Sequence, residues 1–180
     1  MNEFNIALYI GASYKTITLK AYINMSEDER ANMNVDFNHI SFSLMIDGKE
    51  LLSHLISLGP LTMMLPQFDQ AISLLSQGKS ALLRSGVLDV SEGHYVYFSS
   101  IPDSEFVLIS LISIAKLPMG EYFPQGYNSE KLYEYVLRNY KPLIEKNRKD
   151  GYPTEIKFNR KELIANLELN KELGALIHYT

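Results

Sequence analysis

The chain has 180 residues, no cysteine and a formal net charge of -4, with 46% hydrophobic and 21% charged residues. A chain of this length buries roughly 70% of the surface that its unfolded form exposes, so we expect it to fold without a disulfide or a metal. The missing cysteine excludes thiolate nucleophiles and cysteine-ligated zinc. The mild acidity disfavours nonspecific nucleic-acid binding as the main activity.

The N-terminal segment MNEFNIALYIGASYK does not have the pattern of a signal peptide, because it carries an acidic residue where such a peptide has basic ones. The most apolar run, from Phe106 to Pro118, is much shorter than the roughly 20 residues of a membrane-spanning helix. We therefore expect a cytoplasmic protein that does not act at a membrane.

The first fifty residues are predicted to form mainly strands. Phe4 to Ile10 and the alternating segment Tyr14 to Ile23 predict a hairpin. The polar segment from Asn24 to Asn34 predicts a loop or a single exposed helical turn. A strand from Val35 to Ile46 follows, and Asp47-Gly48 predicts a type I′ turn because this pair tolerates positive φ at both central positions.

The middle of the chain is predicted to change from helix to strand. Pro66 is expected to open a helix that ends near Gly78. A second short helical piece, SALLRSG, is expected to end at Gly86. His94 to Ser100 predicts a strand, with a turn at Pro102 and Asp103. Phe106 to Ala115 is apolar on both alternating faces, which predicts a strand at the centre of a sheet.

The C-terminal third is predicted to form two helices. In the first, one sector about 140° wide collects the apolar residues Leu132, Tyr133, Val136, Leu137, Tyr140, Leu143 and Ile144. Pro142 is expected to kink this helix near Lys141. In the second, Asn159 is the predicted N-cap, Phe158 and Leu163 form a hydrophobic staple, and Gly174 is the predicted end.

This order of elements predicts the α+β class. We expect one domain over residues 1–180, with an antiparallel or mixed sheet, segregated helices and a C-terminal helical pair.

The sequence contains no motif of the common enzyme classes. No glycine-rich turn suited to phosphate binding follows a strand, and no G-x-S-x-G elbow is present. The four histidines, at positions 39, 54, 94 and 178, do not have the spacing of a helical metal site. No catalytic residue, metal or cofactor is therefore predicted. His94 beside Glu92 is the one candidate acid/base pair, and it leaves open an unrecognised small hydrolase or nuclease.

Acidic residues and tyrosines are concentrated between residues 89 and 135, which favours recognition of a protein partner. Residues 121–140 hold five of the twelve tyrosines, and tyrosine is enriched at interfaces. Helical phase predicts that Tyr133 and Tyr140 lie in the core and that Tyr135 faces water. The basic run from Arg138 to Lys161 is interleaved with acids, so no nucleic-acid partner is expected. The predicted partner-binding residues are Glu92, Asp103, Glu105, Glu121, Tyr122, Tyr127 and Tyr135.

The strand and turn VDFNHISFSLMIDGKELL, the helix LPQFDQAISLLSQG, the strand HYVYFSS and the acidic balance resemble, in their architecture, the small immunity proteins of bacterial toxin systems, including those of contact-dependent inhibition. The resemblance implies a protein that binds a cognate toxin domain, often a nuclease, and covers its active site or substrate path. An acidic face suits a basic nuclease because complementary charge speeds encounter. A second alternative is a scaffold or secretion chaperone, which would expose a large apolar patch, although the sequence shows no spare apolar stripe.

Overall fold

The computed structural model describes residues 2–11, 15–52, 61–84, 94–113 and 129–177, and only the backbone of residues 51, 52, 94 and 129–134. The described strands are β1 (Glu3–Ile10), β2 (Thr16–Thr18), β3 (Val35–Ile46), β4 (Lys49–Leu52), β5 (Ala81–Arg84), β6 (His94–Ser100), β7 (Phe106–Ser113) and β8 (Ile156–Asn159). The described helices are α1 (Leu19–Ile23), α2 (Glu27–Ala31), α3 (Leu61–Ser76), α4 (Ser129–Lys149) and α5 (Arg160–Ile177). The chain is therefore α+β, as predicted.

The first sheet is antiparallel and has the strand order β2-β1-β3-β4. The predicted N-terminal hairpin is confirmed, with Ala7 opposite Thr18. The predicted turn between β3 and β4 is confirmed as well, because Asp47 and Gly48 both have positive φ, at 50° and 75°. The segment between β2 and β3 contains the short exposed helix α2. Ser26 and Glu29 form a capping box at its N-terminus.

The second sheet is also antiparallel, with the order β5-β6-β7-β8. β7 is an inner strand, as its two apolar faces predict. β5 occupies residues that were predicted to be helical, and that prediction is wrong. Leu82 and Leu83 are buried on opposite faces of the sheet, in two different apolar clusters, so only an extended backbone buries both.

Both sheets and the helices α3 and α5 contribute to one large core. Phe98 of β6 meets Phe4 of β1 edge-on, with 5.6 Å between ring centres. Phe4 lies 4.8 Å from Phe42 of β3, which lies 6.1 Å from Phe68 of α3. Since loss of one buried phenylalanine side chain costs about 3–5 kcal/mol, this series of rings joins the two sheets and α3 strongly.

The outer face of the second sheet carries a smaller core, which α4 covers. Its buried members are Leu82, Tyr95, Tyr97, Ile112, Val136, Leu143 and Ile144. α4 is interrupted at Asn139, whose φ of -116° and ψ of 17° are not helical, three residues before Pro142. The kink is therefore confirmed, but Leu137 is 39% exposed and Tyr135 is half-buried against the smaller core. The single helical phase is therefore wrong for these two side chains, because its apolar sector was taken across both halves of the kinked helix.

Three predicted element boundaries are wrong because tertiary burial outweighs local preference. Residues 19–23 form α1 instead of continuing β2: Thr18 caps the helix, and Leu19 is fully buried. α3 begins at Leu61 and contains Pro66 in its second turn, since the helix buries Leu61 in the core. α5 continues past Gly174, where a Cβ atom would come within 2.6 Å of Leu65 Cδ2.

The predicted start of α5 and the predicted end of α3 are confirmed. Asn159 caps α5, with its side-chain oxygen accepting from the N–H of Lys161 at 3.0 Å and of Glu162 at 3.3 Å. Gly78, with φ of 71°, ends α3. Its N–H donates to Leu75 and the next N–H donates to Leu74, which is the Schellman arrangement.

Side-chain carboxamides on three helices pair with the backbone of strands. Asn170 of α5 accepts from the N–H of Ile6 and donates to the C=O of Phe4, both at 2.9 Å. These groups face β2, whose pairing with β1 is limited to residues 7–9 of β1. Asn170 therefore takes the place of the missing strand residues.

The same pattern recurs on the second sheet. Asn147 of α4 accepts from the N–H of Ser113 and donates to its C=O at 3.0 Å. Gln67 of α3 accepts from the N–H of Arg84 at 2.9 Å and donates to its C=O at 3.2 Å. Asn147 and Asn170 are each only 1% exposed, so these contacts satisfy groups that water does not reach.

None of the helices in the described ranges combines the length and the apolar character that crossing a bilayer requires.

Replacing Asn170 with alanine removes the partner of two buried backbone groups, the N–H of Ile6 and the C=O of Phe4. Each buried group left unpaired costs about 1–3 kcal/mol. We therefore expect the free energy of unfolding, measured by urea denaturation, to fall by roughly 2–5 kcal/mol. Asn32→Ala is the matched control, because Asn32 is exposed, and it should change stability by no more than about 0.5 kcal/mol. Equal stability of the two variants would contradict this role of Asn170.

Candidate partner-binding surface

The hairpin tip between β6 and β7, residues 101–105, presents acidic side chains to solvent. Pro102 and Asp103 form the turn, and Asp103 has a φ of 54°. The N–H of Ser104 donates to the C=O of Ile101 at 3.3 Å. Aspartate tolerates the left-handed conformation better than most residues, so proline and aspartate are suited to this turn, as the sequence predicts.

Asp103 and Glu105 are both exposed. Within the described part of the chain, neither carboxylate forms an ion pair or a side-chain hydrogen bond. The tip thus carries two carboxylates that are not held in an ion pair with a described residue, although two cations lie nearby, Arg160 on the tip carbonyls and Lys157 over the ring of Phe106.

Arg160, the first residue of α5, fastens this tip to the body of the protein. Its guanidinium donates through Nη2 to the C=O of Ser104 at 2.7 Å and of Ile101 at 3.3 Å. Its backbone N–H donates to the C=O of Glu105 at 2.7 Å. The guanidinium also lies beside Gly78 at the C-terminal end of α3, where the helix dipole favours a cation. Arg160 therefore bonds three carbonyls of the tip and leaves its two carboxylates free.

The other predicted partner-binding residues are distributed differently. Tyr135 is half-buried and packs on the smaller core beside Tyr140, so it presents less surface than helical phase predicts. Glu92, Glu121, Tyr122 and Tyr127 lie outside the described residues.

The candidate acid/base pair cannot be placed, because Glu92 and the side chain of His94 lie outside the described part of the chain. The described side chain of His39 is exposed, and its Nδ1 lies 2.7 Å from Asp36 Oδ2. Partial burial works to raise the pKa of Asp36, but hydrogen bonds from His39 and from the N–H of Asn38 bring it below its usual value. No group of three potential metal ligands occurs among the described residues.

The basic run that begins at Arg138 is partly neutralised by neighbouring acids. Arg148 forms an ion pair with Glu155, and Lys149 lies 3.8 Å from Glu145. These pairs are exposed, so each contributes at most about 1 kcal/mol to stability. They do, however, reduce the positive potential that a phosphate backbone would meet.

A polar pocket of about 380 Å³ lies between α4 and the outer face of β6 and β7. Its lining residues are Ser99, Leu108, Ser110, Tyr140, Lys141, Ile144, Glu145, Arg148 and Glu155. The ring of Tyr140 packs against that of Tyr97 at an angle of 35°, with 4.6 Å between ring centres. Burial raises the pKa of Tyr97, and hydrogen bonds with Ser80 and Ser99 offset only part of this, so its hydroxyl is neutral at pH 7.

A larger, mainly apolar groove of about 800 Å³ lies between α1, α2, β3 and the end of α5. Tyr22 and Phe37 line it, with their rings edge-on at 5.6 Å. Leu176, which is 54% exposed, lines the same groove. Among the described residues this groove is an apolar surface that the sequence analysis does not predict. It includes residues of α1, which was predicted to be a strand.

No protein-family model matches the chain, and no curated protein or solved structure matches it either. Function is therefore inferred from the geometry of these surfaces.

Proposed function

We propose that the protein is an immunity protein that binds and neutralises a cognate bacterial toxin domain, with the hairpin tip as part of the contact surface. The observation that supports this proposal is the pair of exposed carboxylates of Asp103 and Glu105, which no described residue holds in an ion pair, on a tip that Arg160 holds in place.

The charge of the tip suits a toxin that acts on nucleic acid. A nuclease binds the phosphate backbone with a basic surface. Carboxylates offered to that surface compete with phosphate, and charge complementarity raises the association rate. The tip would thus recognise such a partner through the basic surface with which the partner binds nucleic acid.

The fastening of the tip lowers the cost of binding. A flexible acidic loop would lose conformational entropy when a partner ordered it, whereas a loop already held in one conformation loses little. Arg160 supplies this order with three hydrogen bonds to backbone carbonyls. The tip is small beside the roughly 800 Å² per partner of a standard interface, so neighbouring segments must complete the contact.

Neutralising the tip should weaken association without harming the fold. Asp103→Asn combined with Glu105→Gln removes both charges, and asparagine tolerates positive φ at position 103. We expect the association rate with the C-terminal domain of the protein encoded immediately upstream to fall roughly tenfold at low salt, and less at high salt. Surface plasmon resonance at two salt concentrations measures this rate, and survival of cells that express the toxin domain measures protection.

Asp47→Asn is the matched control, because Asp47 is also an exposed turn aspartate with positive φ, at 50°. It should leave both association and protection unchanged. Wild-type association rates and protection in the double variant would overturn the assignment of this surface. An upstream gene product without toxicity would count against the immunity function itself.

Removing the fastening should loosen the tip while leaving its charges in place. Arg160→Met eliminates the guanidinium bonds to Ile101 and Ser104, and we expect amide hydrogen exchange at Ser104 and Phe106 to accelerate. The free energy of unfolding should fall by about 1–3 kcal/mol, because the bonded carbonyls lose a charged donor. Lys161→Met is the control, since Lys161 is exposed and donates no side-chain bond to the tip. Unchanged exchange in Arg160→Met would show that the tip is ordered without this residue.

A further inference from the structure

The polar pocket has a construction that the toxin-binding proposal does not use. Its floor is the outer face of the second sheet, where Ser99 of β6 lies opposite Leu108 of β7. Two residue pairs further along, on the same face, Tyr97 lies opposite Ser110, and there Tyr140 of α4 covers the sheet. The pocket thus lies on the outer face of the sheet, on the side of Tyr140 that is nearer the hairpin tip.

The kink in α4 positions one wall of the pocket. Pro142 has no N–H to donate to the helix, and Asn139 leaves the helical conformation. The Asn139 side chain donates to the C=O of Tyr135 at 2.9 Å, which ties the kink to the preceding turn of the helix. Tyr140, Lys141 and the following turn of α4 line the pocket, and they come directly after this kink.

The opposite wall contains a residue in a strained conformation. Glu155 has a φ of 56°, a conformation that costs energy for any residue with a Cβ. Its N–H donates to Ser110 Oγ at 3.0 Å, and its carboxylate pairs with Arg148. Residues in strained conformations are often found at ligand sites, where the surrounding structure holds them in place. The two other described non-glycine residues with positive φ, Asp47 and Asp103, lie in hairpin turns, whereas Glu155 does not lie between two paired strands.

The lining combines an apolar floor with polar groups of balanced charge. Leu108 and Ile144 are apolar, and the ring of Tyr140 is backed by Tyr97. Around them stand two cations, Lys141 and Arg148, and two carboxylates, Glu145 and Glu155. Because the formal charges cancel, neither an anion nor a cation is favoured as a ligand. The volume of about 380 Å³ falls within the range of small-molecule sites.

From this arrangement we propose that the pocket binds one uncharged saccharide unit. The apolar C–H face of a sugar ring packs on Tyr140 and Leu108. Each sugar hydroxyl both donates and accepts a hydrogen bond, so vicinal hydroxyls pair with the carboxylate of Glu155 and the guanidinium of Arg148. This binding activity is independent of the toxin-binding proposal, because its residues are separate from Asp103 and Glu105.

The test is saturation-transfer NMR with glucose, galactose and N-acetylglucosamine, each titrated into the full-length protein. For a ligand of this size we expect a Kd on the order of 1 mM for at least one sugar. Glu155→Gly removes the carboxylate and relieves the strained backbone at the same time. It should therefore weaken sugar binding at least tenfold while the melting temperature stays the same or rises.

Asp47→Gly is the matched control, because it relieves a similar φ on the other sheet. It should leave sugar binding unchanged. Inorganic phosphate is titrated in parallel, and saturable binding of phosphate with none of the sugars would overturn the assignment of an uncharged ligand. Absence of binding for all three sugars at 100 times the expected Kd, or full binding by a folded Glu155→Gly variant, would overturn the site.

Discussion

The fold depends on one constraint, that buried backbone N–H and C=O groups must find partners. Neither sheet meets this constraint by strand pairing alone. Asn170, Asn147 and Gln67 each offer a carboxamide that donates and accepts like a peptide group, and each pairs with a strand. These contacts fix α5, α4 and α3 at defined heights along the strands, which apolar packing alone does not specify.

The two surfaces with proposed functions follow from the same constraint. Asn147 holds the C-terminal half of α4 to the end of β7, so the helix that walls the polar pocket cannot slide along the sheet. Arg160 satisfies backbone carbonyls at the other end of this hairpin, at the tip. The acidic tip and the pocket are therefore held by side-chain to backbone bonds that originate in α4 and α5. Ordered sites of this kind lose little entropy when they bind.

Most elements could be predicted because their signals are local. The span of β3, the Asp47-Gly48 turn and the Asn159 cap depend on residues close in the chain. Wherever a distant contact competes with a local preference, prediction fails. Pro66 and Gly174 are helix breakers by propensity, yet both lie inside helices. At Gly174 the missing side chain makes room for Leu65, a residue more than a hundred positions away.

The sequence by itself determined the α+β class, the strands β1, β3, β4, β6 and β7, and the candidate acidic turn at Asp103 and Glu105, since alternation, turn chemistry and charge depend on residues close in the chain. Tertiary structure alone decided that Arg160 fastens this turn, that α4 and the outer sheet face line a pocket, and that Glu155 takes a strained conformation beside it. These features join residues 45 to 59 positions apart. No local pattern encodes such contacts, because their energy comes from groups that meet only when the chain is folded.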